Sequence, residues 1–302
     1  MRTQLIILLL MVILIGCEST DKPKEKPHVV ATTGMLYDAV INIIGDKMTA
    51  EVIMGPGVDP HLYKATQGDL SKLNKADLVI YNGIQLEGKM GEILKKLARQ
   101  KPVVAAAENI PDEMLINATG YENTPDPHIW FDVQRWKYAV SSISQAIIEL
   151  DSVNGADYIA NTNRYLDELD SLDKYVQAKI DEIPPSQRIL VTAHDAFGYF
   201  GDAYGIRVEA LQGISTVADF GLKDIANLID LIIENNIKAI FVETSVSDKS
   251  INAVVTGCKE KGHEVKIGGS LYSDAMGPLG TPEGTYLGMF RKNVDTIVEA
   301  LK

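Results

Sequence analysis

Short apolar blocks recur along the chain, separated by longer stretches in which apolar residues return every three or four positions. Val29 to Thr33, Glu51 to Met54, Leu78 to Tyr81, Val103 to Ala106, Ile189 to Thr192, Ala239 to Val242 and Glu264 to Ile267 read as strands. Met35 to Ile44, Gln67 to Ala76, Glu87 to Arg99, Val133 to Leu150, Gly221 to Asn235, Asp248 to Lys261 and Glu283 to Leu301 carry helical spacing. Strand and helix in alternation predict an α/β protein with parallel sheets covered on both faces. The middle of the chain breaks the rhythm. From Tyr158 to Ile183, the residues Ile159, Leu166, Leu169, Leu172, Val176, Ile180 and Ile183 form one stripe, ended by Pro184-Pro185. A helix of that length spans about 39 Å, enough to run along two lobes. Its charged positions, Asp167, Glu168, Asp170, Asp173 and Lys174, read as solvated surface.

The N-terminus follows a different pattern. After Arg2, an almost unbroken apolar run from Leu5 to Ile15 is too short for the roughly 20 residues of a membrane-spanning helix. It has the build of a secretory signal. Leu14-Ile15-Gly16-Cys17 resembles the bacterial lipobox, which implies cleavage before Cys17 and acylation of that residue. More than one acyl chain makes membrane anchoring stable. Glu18 to Pro27 holds no large apolar residue and includes Lys22, Lys24 and Lys26, so it reads as a tether reaching on the order of 35 Å. The remaining chain, about 275 residues, exceeds a single hydrophobic core, and two lobes are expected. The net charge of −12 argues against nucleic acid as a partner and suits the attraction of cations. With Cys17 acylated, Cys258 is the one remaining thiol; within its helix it reads as a small buried side chain.

Chemistry concentrates in the histidines. There are five in the chain, and two of them close identical tripeptides, Asp59-Pro60-His61 and Asp126-Pro127-His128. Proline fixes its own φ and drives the preceding residue towards extended backbone, so each histidine leaves a rigid elbow. A third, His194, closes the apolar strand that begins at Ile189. Each has a carboxylate beside it (Asp59, Asp126, Asp195) able to orient an imidazole or cap a helix. Asp274, beyond the strand ending at Ile267, is a candidate fourth ligand. Side chains at the carboxyl ends of parallel strands lie where α/β proteins bind ligands, and these types in that setting point to a metal site. His28 and His263 read as surface residues.

Six stretches together resemble the metal-binding solute-binding lipoproteins of bacterial zinc and manganese ABC importers, over essentially the whole chain after the tether. They are Gly57–His61, Asp126–Trp130, Thr192–Phe200, Gln212–Ser215, Leu271–Asp274 and Gly280–Tyr286. The resemblance implies two (β/α) lobes joined by one long backbone helix, with one zinc or manganese ion between them on His61, His128, His194 and Asp274. It implies a monomer that is no enzyme, held by Cys17 to the outer face of the membrane and delivering the ion to a permease and its ATPase. The expected organisation is a signal at 1–16, acylated cysteine and tether at 17–27, lobes at 28–150 and 186–302, and a linker helix at 151–185. Pro111 to Pro127 lacks the histidine-rich loop frequent in zinc-dedicated members. Protons compete for imidazoles, so binding is expected to weaken below about pH 6. Two rivals fit less of the sequence. A zinc hydrolase would need a general base, with Asp195 or Glu243 as candidates, yet the chain shows no His-Glu-x-x-His or Gly-x-Ser-x-Gly motif. A surface adhesin would not require converging histidines.

Overall fold

The most continuous apolar block of the N-terminal half, Leu78-Val79-Ile80-Tyr81, lies inside a sheet with both faces covered, as its lack of polar alternation requires. The computed structural model describes residues 26–117, 124–217 and 220–302. The expected signal, Cys17 and most of the tether lie outside the described residues. In chain order the first half contains β1 (His28–Ala31), α1 (Gly34–Ile44), β2 (Thr49–Val52), α2 (Gln67–Lys75), β3 (Leu78–Tyr81), α3 (Gly91–Leu97) and β4 (Val103–Ala105). Its four strands are parallel in the order β2-β1-β3-β4, with Val29 opposite Leu78 and Val79 opposite Val103. Local chemistry sets the helix ends. Thr66 and Asp69 form a reciprocal capping box at the start of α2. Gly45 ends α1 with φ +54°, a conformation that suits glycine.

Two helices follow, α4 (Val133–Leu150) and α5 (Gly155–Ile180). The carboxylate of Asp132 caps α4 by accepting the N–H groups of Gln134 and Arg135. The second half contains β5 (Ile189–His194), α6 (Gly198–Tyr204), β6 (Arg207–Gln212), α7 (Leu222–Glu234), β7 (Ala239–Glu243), α8 (Lys249–Glu260), β8 (Lys266–Leu271) and α9 (Tyr286–Leu301). β5 pairs with β6 and β7 with β8, both in parallel. The architecture is the expected α/β one with parallel sheets.

Several expectations shift. α6 and β6 were not anticipated: glycines at both 198 and 201 disguise the helix, and the polar positions of Arg207-Val208-Glu209-Ala210-Leu211-Gln212 disguise an edge strand. β2 starts and ends two residues early, although the buried Ile53 and Met54 still donate their backbone N–H groups to Ala31 and Thr32. β8 runs to Leu271, four residues further than expected, carrying Asp274 close to a strand end. The buried stripe of α5 is Tyr158, Thr162, Tyr165, Leu169, Leu172, Val176 and Ile180; Ile159 is half exposed. The charged side is not all solvated either. Asp170 pairs with Lys137, and Asp173 accepts from Tyr204 and Gln134.

One buried apolar cluster threads α1, α4, α5 and α9 and takes in Leu78 and Ile80 of the first sheet together with Leu190 and Phe241 of the second half. The inner faces of both halves therefore share one core along α5. Smaller clusters sit beneath α2 and α3 and beneath α7 and α8. Cys258 is fully buried in the latter, as expected of an inert thiol.

Candidate metal centre

Parallel strands gather their carboxyl ends at one edge, and that edge supplies the chemistry. His61 lies on the irregular segment between β2 and α2, where Asp59 Oδ1 accepts the backbone N–H groups of His61 (2.8 Å) and Leu62 (3.3 Å). Its Oδ2 accepts the Thr216 hydroxyl at 2.6 Å. The second tripeptide turns in the same way but goes further. Asp126 Oδ1 accepts the backbone N–H of His128 at 2.8 Å and also lies 2.7 Å from the ring Nδ1. Gly198 permits this approach, since a Cβ there would stand 2.9 Å from Asp126 Oδ2. His194 is the last residue of β5. Its orienting carboxylate is Glu243, at the end of β7, with Oε1 accepting the His194 N–H at 2.9 Å and Oε2 at 2.5 Å from Nδ1. The expected partner, Asp195, makes no contact with the ring; its backbone N–H donates to Gln212. Adjacency in sequence misled here, because neighbours on a strand point to opposite faces.

The structure brings His61, His128, His194 and Asp274 together, with one donor atom from each lying within 4.8 Å of all the others. His61 Nε2 is 3.3 Å from His128 Nε2 and 3.7 Å from Asp274 Oδ2. Asp274 Oδ1 lies 3.3 Å from His128 Nε2, and its Oδ2 lies 3.3 Å from His194 Nε2. Four donors at the corners of a tetrahedron with bonds of about 2.0–2.1 Å stand about 3.3–3.4 Å apart. The cage is dry: His128 and His194 are 0% exposed, Asp274 2% and His61 4%. Among the described residues, none hydrogen-bonds the buried His194 Nε2 or either oxygen of Asp274. Buried polar atoms left unpaired are costly, and a cation at their common focus would satisfy all of them.

Electrostatics follow from this crowding. Burial pushes His61 down to about 4, only partly offset by Asp274. For His128 burial acts the same way, but the Asp126 carboxylate overrides it and holds the ring up at about 9. His194 is raised well above its ordinary value as Glu243 and Asp274 outweigh burial, and Asp274 is held well below as the His194 and His128 rings do likewise. The three rings are thus shifted in opposite directions, His61 down and His128 and His194 up. With Asp126 and Glu243 counted beside Asp274, three neutral rings and a divalent ion leave a formal charge of about −1. An acidic cleft of about 400 Å³, lined by Asp126, Asp195, Asp202 and Glu209, adjoins the site.

Two further residues were not singled out from sequence. Asn82, 1% exposed, donates through Nδ2 to the Pro127 carbonyl at 3.0 Å and so braces the second elbow. Glu87, buried, accepts from Thr32 Oγ1 and from the Asn82 N–H, each at 2.7 Å. The signal for Asn82 was a polar residue at the end of an apolar strand; Glu87, six residues past that strand, carried none. His28 and His263 lie apart from the cage and are partly exposed, bonding Thr49 Oγ1 and the Ile237 carbonyl.

Residues 29–300 match the family model described as zinc-uptake complex component A, periplasmic. The chain is 52% identical over 288 residues to the manganese-binding lipoprotein MntA of Bacillus subtilis, covering 95% of this chain and 94% of that one. It is 46% identical over 276 residues to the zinc-binding protein TroA of Treponema pallidum, covering 91% and 89%. The solved structure of the periplasmic zinc-binding protein TroA superposes with a TM-score of 0.89, covering 91% of this chain and 99% of that one.

Proposed function

The chain belongs to the zinc-uptake complex component A family, and on that premise we propose that it captures one zinc or manganese ion outside the cytoplasm and hands it to the permease of an ABC importer. The observation that carries this reading is the convergence of three imidazoles and one carboxylate, buried and unpaired, at the carboxyl ends of the strands. In this reading His61, His128, His194 and Asp274 are the ligands, and the ion is cargo. The lobes are 28–150 and 186–302, joined by 151–185, with the signal at 1–16, Cys17 as the lipid anchor and the tether ending at 27. A permease and its ATPase are the partners.

Each part of the cycle follows from the residues. The neighbouring cleft adds carboxylates whose attraction for cations acts over roughly 8–10 Å, although Asp202 and Glu209 are paired with Arg135 and Arg207. Asp126 and Glu243 hold Nδ1 of His128 and His194, which turns each Nε2 towards the ion and keeps the ring basic. The Asp126 carboxylate raises the basicity of His128, and only a neutral ring can hold the ion, so capture strengthens as pH rises. The shared core along α5 restrains the hinge, so loading is expressed in small movements of the ligand-bearing loops.

The test is a titration. Full-length protein in mild detergent, stripped of metal, is titrated with zinc and with manganese, alongside His194→Ala. One ion per chain in the wild type, with binding lost or much weakened in the variant, is the expected result. Binding of neither ion by the wild type would overturn the reading.

A further inference from the structure

The two ligand loops drawn from opposite halves of the chain are joined by a buried hydrogen bond that the ligand set does not need. Trp130, two residues after His128, donates its indole Nε1–H to the Ser273 carbonyl at 3.0 Å. Ser273 directly precedes Asp274. The anchor is firm at both ends. The Tyr286 hydroxyl donates to the Trp130 carbonyl at 2.7 Å, and the Trp130 ring meets His128 edge-on with centroids 5.2 Å apart. On the other side, the hydroxyl of Ser273 is paired with that of Ser245 at 2.9 Å. Trp130 is 1% exposed, and Ser273 and Tyr286 are fully buried. Residue 273 is therefore gripped by its carbonyl and by its side chain, and little freedom remains to the backbone that carries Asp274.

The posture of Asp274 gives this grip a chemical meaning. The carboxylate meets the rings side-on, with Oδ1 towards His128 and Oδ2 towards His61 and His194. Among the described residues, none hydrogen-bonds either oxygen, so both remain available to an ion. A zinc ion is content with four donors in a tetrahedron, for which one of these oxygens suffices. Manganese favours more oxygen donors and a higher coordination number, so it depends on the second.

Resting on the importer reading above, we infer that Trp130, through Ser273, is a positioning residue that holds Asp274 side-on and thereby sets the balance between manganese and zinc at this site. Trp130 does not touch the ion. It acts on how many oxygens the ion receives. Releasing the clamp lets the carboxylate turn to a single-oxygen posture, which costs manganese more than zinc.

The experiment compares wild type, Trp130→Phe and Ser245→Ala as full-length, metal-stripped protein in detergent. Trp130→Phe keeps an aromatic ring beside His128 and removes the N–H donor; Ser245→Ala loosens the same clamp from the other side, so it decides the question where Trp130→Phe fails to fold. Zinc and manganese Kd values are measured by competition with a chelating dye, and cobalt-loaded protein is followed by visible absorption. The manganese Kd is expected to rise by about 10-fold, the lower end of the cost of losing a direct outer partner of a ligand, because Trp130 reaches Asp274 only through Ser273. The zinc Kd changes by a smaller factor, so the ratio widens, and the cobalt bands intensify as coordination drops towards four. An unchanged ratio, whether both constants move together or neither moves, overturns the inference while leaving the importer reading intact. Binding of neither metal by the wild type overturns both.

Discussion

At the scale of the residue, the site is a contest between burial and charge that three carboxylates resolve. Asp126 and Glu243 stand behind two of the rings and Asp274 stands among all of them. The consequence is sharpest at Glu243, which grips His194 by both backbone and ring. Glu243→Ala is expected to weaken zinc binding by about 10–100-fold. Asp195→Asn, one residue from His194 and coupled to its ring only through charge, should weaken binding by a much smaller factor. Competition titration of the two variants side by side checks this, and equal losses would contradict the assignment of Glu243. The four residues of the cage were legible in sequence because proline elbows and strand ends announce direction. The outer partner of His128 was legible too, since it belongs to the same tripeptide. Glu243 was noted only as a candidate base. It reaches His194 across 49 positions of chain, through a pairing of strands that no local pattern encodes.

At the scale of the element, α5 is a shared wall, and its contact with α1 carries a buried charge. Asp38 of α1, 2% exposed, accepts the Tyr165 hydroxyl of α5 at 2.8 Å and the Asn42 amide at 3.3 Å, with no cationic partner. Burial raises its carboxyl to about 6 despite those hydrogen bonds. A raised carboxyl contributes its stability below its unfolded value, near 3.9, and loses it as pH rises through about 6. Asp38→Asn keeps an acceptor for Tyr165 and removes the charge. It should therefore leave stability nearly unchanged at pH 4 and raise it by about 1–3 kcal/mol at pH 8. Urea unfolding at the two pH values measures the difference, and a variant destabilised at pH 8 would show that the carboxylate is needed in its ionised form. The length of α5 was legible from its spacing and its terminal prolines. Its buried face was misplaced at Ile159 because tyrosines at 158 and 165 carry the packing, and their hydroxyls mask them as polar positions. Likewise, α6 and β6 stayed hidden because two glycines and an edge strand's charges obscure their periods.

At the scale of the whole molecule, one core runs through both halves and one cage lies at the edge where their strands end. The parallel α/β class was legible from the alternation of periods, because strands buried on both faces must be continuously apolar, whereas the α6 and β6 pair was not. What the pattern could not convey is how the halves meet. That depends on contacts such as Trp130 to Ser273 and Tyr286 to Trp130, each spanning more than 140 positions. The acidic balance of the chain also takes on a location here, since four carboxylates line the cleft beside His128.

Whether an ion sits in this cage is decided by an anomalous-scattering map at the zinc absorption edge, from crystals of the zinc-loaded protein. The account predicts a single strong peak about 2.0–2.1 Å from Nε2 of His61, His128 and His194, with an Asp274 oxygen completing the set. A peak elsewhere on the molecule, or none within bonding distance of these side chains, would contradict it.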